Sequence, residues 1–186
     1  MAYTAPIDEK KLIQDMQNPE SAPSAFKTLM KAYGEPMYWQ IRKLVTSHDD
    51  ANDLLQNAFI KAWSNIRNFR GDAKLSTWLF KIAINESINF LNRERKRTNT
   101  SEGGEDLFLL DKLEADPYFD GNELQKELQK AITRLPEKQK IVFNMRYFDE
   151  MKYEEISEIL GTSVGALKAS YHHAVKKIEQ AIGSLV

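Results

Sequence analysis

Lys168, His172 and His173 fall on the outer face of a helix whose inner stripe is Val164, Leu167, Tyr171, Ala174, Val175 and Ile178. A lysine can donate to guanine edges or phosphate, and an imidazole can donate or accept at base edges. Ala169 shares that face, which is the one a recognition helix offers to the major groove. Lys176 and Lys177 follow as backbone rather than base contacts. Ser163 is a good N-cap, and the amides it precedes suit a phosphate. The preceding helix puts Tyr153, Ile156, Ile159 and Leu160 on one side, and Gly161 ends it where a left-handed residue is needed. Such a helix pair is also an ordinary packing unit, so by itself it makes DNA the leading partner and no more. A metal is not expected at His172 and His173. Neighbours on a helix point about 100° apart, and the chain holds one further histidine, His48, and no cysteine.

Other polar residues repeat at helical spacing. Asp53 and Gln56 are three apart and share a face able to pair with basic and amide groups of a partner helix. Leu54 lies between them. Phe59 and Trp63 are four apart; core packing and an interface anchor both fit, with packing favoured. Lys81, Asn85 and Asn89 make one polar stripe, with Ile82, Ile84, Ile88 and Leu91 on other sides. Trp78 reads as core. Arg93, Arg95, Lys96 and Arg97 suit either phosphate or the C-terminal end of a helix dipole.

The elements that carry these residues are all helical. Phe26, Leu29, Met30 and Tyr33 begin a helical face, and Gly34 with Pro36 predicts a kink or break. Tyr38, Ile41, Leu44 and Val45 continue it. Asp49 or Asp50 is the expected cap of the next helix, which carries Leu54, Leu55, Ala58, Phe59, Ala62 and Trp63. Asn68 to Ser76 reads as a loop around Gly71, with Ser76 capping a helix from Thr77 to about Arg97. Thr98 to Asp120 has Gly103-Gly104, Pro117 and no sustained period; it reads as a linker with apolar anchors at Leu107 to Leu110 and Tyr118-Phe119. A second block starts near Asn122, with Leu124, Leu128, Ile132 and Leu135 on one face and Pro136 at a first turn. The expected architecture is all-α, two small helical domains on a flexible acidic linker. The segments are 1–24 (polar, one short helix at most), 25–97, 98–121 and 122–186.

Bulk properties narrow the class. The 186 residues are 42% hydrophobic, enough for a packed core. Without cysteine there are no disulfides, thiolate metal sites or cysteine nucleophiles. No apolar run approaches the roughly 18 residues of a membrane span, and the start lacks the order of a secretion signal. A soluble, cytoplasmic protein that is not embedded in a membrane is expected. The net charge of -1 hides a partition: +6 over residues 25–100, -7 over 101–129 and +2 over 130–186. Basic blocks suit a polyanion. No phosphate-binding glycine loop and no Ser/His/Asp arrangement stands out, so neither catalysis nor a cofactor is expected.

Two long stretches together resemble one family, the extracytoplasmic-function sigma factors of bacterial RNA polymerase. Asp50 to Arg97 is similar to the family's region two, with its Asp-Leu-x-Gln core (here Asp53, Leu54, Gln56), its Phe69-Arg70-Gly71-Asp72 loop and its Ser76-Thr77-Trp78-Leu79 helix. Leu135 to Ala174 resembles region four. The resemblance implies an alternative sigma factor that binds core RNA polymerase and recognises promoter DNA at two elements. Polymerase docking would use Asp53, Leu54, Gln56 and Phe59. Phe69, Arg70 and Lys74, with Lys81, Asn85 and Asn89, would capture an extruded base of the single-stranded -10 element. Ser163, Lys168, Ala169, His172, His173 and Lys176 would read the double-stranded -35 element. Asn57 stands where the family usually has an acid, and His172 and His173 where it often has basic residues. The resemblance also implies an anti-sigma partner. The competing reading is a stand-alone helix–turn–helix regulator, which would bind an operator alone.

Overall fold

In the computed structural model, which describes residues 7–98, 107–118 and 121–183, nine α-helices account for almost all regular structure and no strand occurs among the described residues. Helix α1 (Glu9–Gln17) starts at Asp8, whose carboxylate accepts from the Lys11 amide at 3.1 Å. Helix α2 (Ala22–Val45) has Pro23 in its first turn. It is continuous through Pro36, so of the kink or break expected there the break does not occur. A proline interior to a helix forgoes one backbone bond; here Met37 and Ile41, both fully buried, hold the far half in the core. Helix α2 ends at Thr46, whose φ of 62° is left-handed. The cost of that conformation in a β-branched residue is offset locally, because the buried Thr46 hydroxyl donates to the Leu109 carbonyl at 3.0 Å.

Helix α3 (His48–Asn65) is capped by Ser47, not by Asp49 or Asp50; those acids lie inside its first turn, where the dipole favours them. A 3-10 turn (Ile66–Asn68) leads to the loop, and α4 (Leu75–Arg97) follows. Ser76 is not its cap either, since the helix begins one residue earlier. Lys74, at the cap position, makes no side-chain cap bond. The missing acceptor comes from α1: the Glu9 carboxylate accepts from the Leu75 amide at 3.3 Å.

The linker is not structureless throughout. Helix α5 (Leu107–Ala115) forms within it, because Leu109 and Leu113 bury completely or nearly so. Residues 99–106, including Gly103-Gly104, and Phe119 lie outside the described residues. Arg42 and Asp116 form a buried ion pair, and Lys112 pairs with Asp50 at 2.5 Å. Tyr118 stacks on His48 with centroids 4.2 Å apart.

Helix α6 (Glu123–Thr133) starts with a reciprocal capping box between Asn122 and Gln125. Leu124 does not join Leu128, Ile132 and Leu135; it is 63% exposed. Helix α7 (Glu137–Phe143) widens into a π-turn (Asn144–Phe148), and α8 (Tyr153–Leu160) and α9 (Val164–Gly183) complete the pair read from the sequence. Gly161 takes φ 63° between them, its amide returning to the Ser157 carbonyl at 2.8 Å.

Two cores result. A small one joins Ala131, Ile132, Leu135, Phe143, Ala174 and Ile178. The large one begins with Leu29, Met37, Ile41, Leu54, Ala58 and Leu79 from α2–α4 and extends to Ile141, Val142, Met145, Ile156, Ile159 and Leu167. The two helical units are therefore docked, with α8 lying on α4. Around that seam Lys43 pairs with Asp149 at 2.5 Å, Arg95 with Glu137 at 2.6 Å and Lys74 with Glu155 at 3.4 Å. The Asn144 amide donates to the Lys43 carbonyl at 3.3 Å.

Candidate nucleic-acid interface

The loop after the 3-10 turn and the polar stripe of α4 come together. Gly71 adopts φ 78°, a conformation that glycine takes without steric penalty, and reverses the chain. The reversal sets the Phe69 ring against Trp78, centroids 4.9 Å apart and planes 37° inclined. Trp78, read from the sequence as core, is only half-buried. Around this aromatic pair lies an open cleft of ≈ 830 Å³. Arg70, Asn85 and Asn89 line it, and Lys61 and Asn65 on α3 form part of its wall. An aromatic floor with amide and cationic groups above it can stack a base face and hydrogen-bond its edge.

Two of the expected residues stand apart from that cleft. Lys81 is exposed on α4 but does not line it. Lys74 is exposed and turned to Glu155 of α8. Sequence reasoning missed Lys61, Asn65 and Trp78 as wall or floor. Trp78 follows Phe69 by nine residues across a turn, and no helical or strand periodicity links such positions. Lys61 additionally pairs with Glu86 at 2.5 Å across the cleft wall.

On α9 every expected residue is on the surface: Ser163, Lys168, Ala169, His172, His173 and Lys176 are all exposed. The Ser163 hydroxyl accepts from the Ala166 amide at 3.4 Å, so it acts as the cap expected of it. Lys168 Nζ lies 5.7 Å above the Tyr153 ring. The His172 and His173 rings diverge, with centroids 5.9 Å apart, and no metal-binding cluster occurs among the described residues. Beneath this face Leu167, Ala174 and Ile178 are buried.

On α3 the expected docking residues divide by burial. Asp53 and Gln56 are exposed, whereas Leu54 and Phe59 are 2% and 8% exposed and belong to the core. They support that face from below and do not form it. Ile60 and Trp63 are exposed instead, and Trp63 meets Phe26 edge-on with centroids 4.9 Å apart.

Comparison with known proteins bears on all three surfaces. Residues 29–97 match the model of Sigma-70 region 2, and residues 125–178 that of Sigma-70, region 4. The chain is 28% identical over 184 residues to the ECF RNA polymerase sigma factor SigW of Bacillus subtilis, covering 95% of this chain and 97% of that one. It is 27% identical over 195 residues to the ECF RNA polymerase sigma-E factor of Escherichia coli, covering 97% of each. In fold it is similar to the sigma factor RpoE of Bartonella quintana, solved in complex with the anti-sigma factor NepR: TM-score 0.67, 22% identity, 85% of this chain and 96% of that one. It is likewise similar to CnrH, solved with the cytosolic domain of CnrY: TM-score 0.69, 20% identity, 95% of this chain and 97% of that one. Both matched regions are those of one family, and the chain belongs to the sigma-70 family as an extracytoplasmic-function sigma factor, which directs promoter-specific initiation of transcription.

Proposed function

We propose that residues 25–97 bind core RNA polymerase and capture an unpaired base of the -10 element, and that residues 122–186 read the -35 element as duplex. Residues 98–121 are the linker between them. The observation that carries this reading is the cleft that the Phe69–Trp78 ring pair lines together with Arg70, Asn85 and Asn89. Base–aromatic stacking contributes about 1–3 kcal/mol per base, comparable with the stacking lost on extruding one. Lys74 and Lys81 act outside the cleft, on the phosphates of the same strand. Docking on polymerase uses Asp53 and Gln56, with Ile60 and Trp63 as apolar neighbours. On α9, Lys168, His172 and His173 reach base edges, Ala169 allows close approach, and Ser163 and Lys176 meet phosphates.

The docked arrangement is the state of the free chain, and it opens on core polymerase ahead of promoter DNA. Glu155 on α8 holds Lys74, and Glu154 and Glu158 are exposed on the same helix. Carboxylates beside the loop repel a phosphate backbone, so α8 leaves α4 before the strand enters.

The protein itself performs no catalytic step and works in the cytoplasm. No helix among the described residues is long and apolar enough to cross a membrane. An anti-sigma protein is the expected negative regulator, a reading supported by the two neighbours solved with such partners. The test adds the purified chain to core RNA polymerase and maps transcription starts on genomic DNA. Discrete new starts are expected, and Asp53→Ala with Gln56→Ala removes them. Starts unaffected by that pair contradict the docking assignment. Operator binding by the chain alone, with no new starts, favours the stand-alone regulator.

A further inference from the structure

We infer that the N-terminal helix α1 is a strap that sets the shape of the base-capturing loop, with Gln17 and Glu9 as positioning residues. The inference rests on the reading of Phe69 to Lys74 as that loop. Helix α1 is anchored independently of the loop, by Leu12 and Met16 in the large core. From its last turn the Gln17 amide donates to two carbonyls, Ile66 at 3.2 Å and Phe69 at 3.1 Å. The Ile66 carbonyl also accepts from the Phe69 amide at 3.1 Å, closing the 3-10 turn. One side chain thus fixes the peptide planes on both sides of the residues that lead into the loop. Fixing the Phe69 carbonyl sets the peptide plane between Phe69 and Arg70, from which the Phe69 ring packs on Trp78.

From its first turn α1 fixes the other end. The Glu9 carboxylate accepts from the Leu75 amide, and its second oxygen accepts from the Tyr33 hydroxyl at 3.0 Å. The Leu75 amide begins α4, where Lys74 supplies no side-chain cap. A carboxylate there satisfies an orphan donor and complements the helix dipole. Both ends of a loop centred on a left-handed glycine are held by one nine-residue helix. Such a loop enters the promoter complex already shaped, and less ordering entropy opposes base capture.

The test uses holoenzyme assembled from core RNA polymerase and the full chain. The probe is a promoter found by start mapping, as duplex and with the -10 element pre-opened by mismatches. Gln17→Ala and the near-isosteric Gln17→Glu, which lacks the donor, each slow promoter opening about tenfold. Each also flattens the preference for the captured base on the pre-opened probe. Affinity for core polymerase stays at the wild-type value, and the thermal midpoint falls only by the small amount that losing these hydrogen bonds entails. Glu9→Gln, which keeps an acceptor and loses the charge, lowers opening rate by no more than about twofold, whereas Glu9→Ala loses it several-fold. Wild-type opening and base preference in the Gln17 variants, beside a defective Phe69→Ala, overturn the strap and leave the loop's role intact. A Phe69→Ala protein indistinguishable from wild type overturns both. Losses that track thermal stability across all variants, with base preference intact, also overturn the strap.

Discussion

The cleft beside Phe69 and the outer face of α9 are both polar and exposed, and they are assembled in opposite ways. The α9 face is local: one helix, one serine cap, and a buried stripe of Leu167, Ala174 and Ile178 that fixes its rotation. The cleft is non-local. Its floor comes from a loop and α4, its wall from α3, and its ends are tied by Gln17 and Glu9, which lie 52 residues before Phe69 and 66 before Leu75. A rigid helix suits a regular duplex groove. A pocket gathered from several elements suits an unstacked base, which needs contacts on its face and its edge at once.

The sharpest way to break that contrast is to damage what the two units share. Ile156 is fully buried in the large core. Ile156→Ala should cost about 2–5 kcal/mol, read as a lower thermal midpoint with loss of both DNA activities. If only duplex binding suffers, the core is not shared in solution. Next in size, Phe69→Ala should weaken binding of a single-stranded -10 probe by about 1–3 kcal/mol and leave -35 duplex binding unchanged. The converse variant, Lys168→Ala, should lower -35 duplex affinity by about 1–3 kcal/mol and relax specificity at the base it contacts, with no effect on the single-stranded probe.

A smaller effect is expected from pH at the seam. Burial pushes the Asp149 carboxyl above its ordinary value of 3.8, against the pull of Lys43. The docked state then binds that proton more tightly than the open state. Docking by this group strengthens as pH falls toward 3.8 from the raised value, and weakens as pH rises through that window. Asp149→Asn should remove this slope in a titration of docking. Glu155 acts in the opposite sense. The Lys152 amide first, and Lys74 after it, hold its carboxyl below 4.5; the Lys152 bond lies within α8 and persists when the units part, so only the Lys74 part bears on docking, present above 4.5 and lost as pH falls through the lowered value. The Lys74–Glu155 pair is exposed, and a double-mutant cycle should give about 0–1 kcal/mol.

The same contrast explains what the sequence could say. The α8–Gly161–α9 unit was legible because periodicity, a left-handed glycine and a cap all lie within one short stretch. Helices α2 to α4 were legible from periodicity alone. The caps of α3 and α4 were not, because Ser47 competes with nearby acids and Glu9 arrives from another helix. The continuity of α2 through Pro36 depends on burial of Met37 and Ile41, which is a tertiary fact. Helix α5 has a weak pattern and forms because Leu109 and Leu113 find a surface. At the candidate site, polar residues in the α4 stripe were found by spacing. The division of Leu54 and Phe59 from Asp53 and Gln56 was not, since a docking face and a core stripe share one helical pattern.

The central claim is that one chain carries two DNA readers that separate when it rides on polymerase. The chain has no cysteine, so cysteines placed at exposed Lys31 on α2 and Glu179 on α9 give unique labels for a spin–spin distance measurement. One short distance is expected in the free protein and one longer distance in promoter-bound holoenzyme. An unchanged distance in the two states would contradict it.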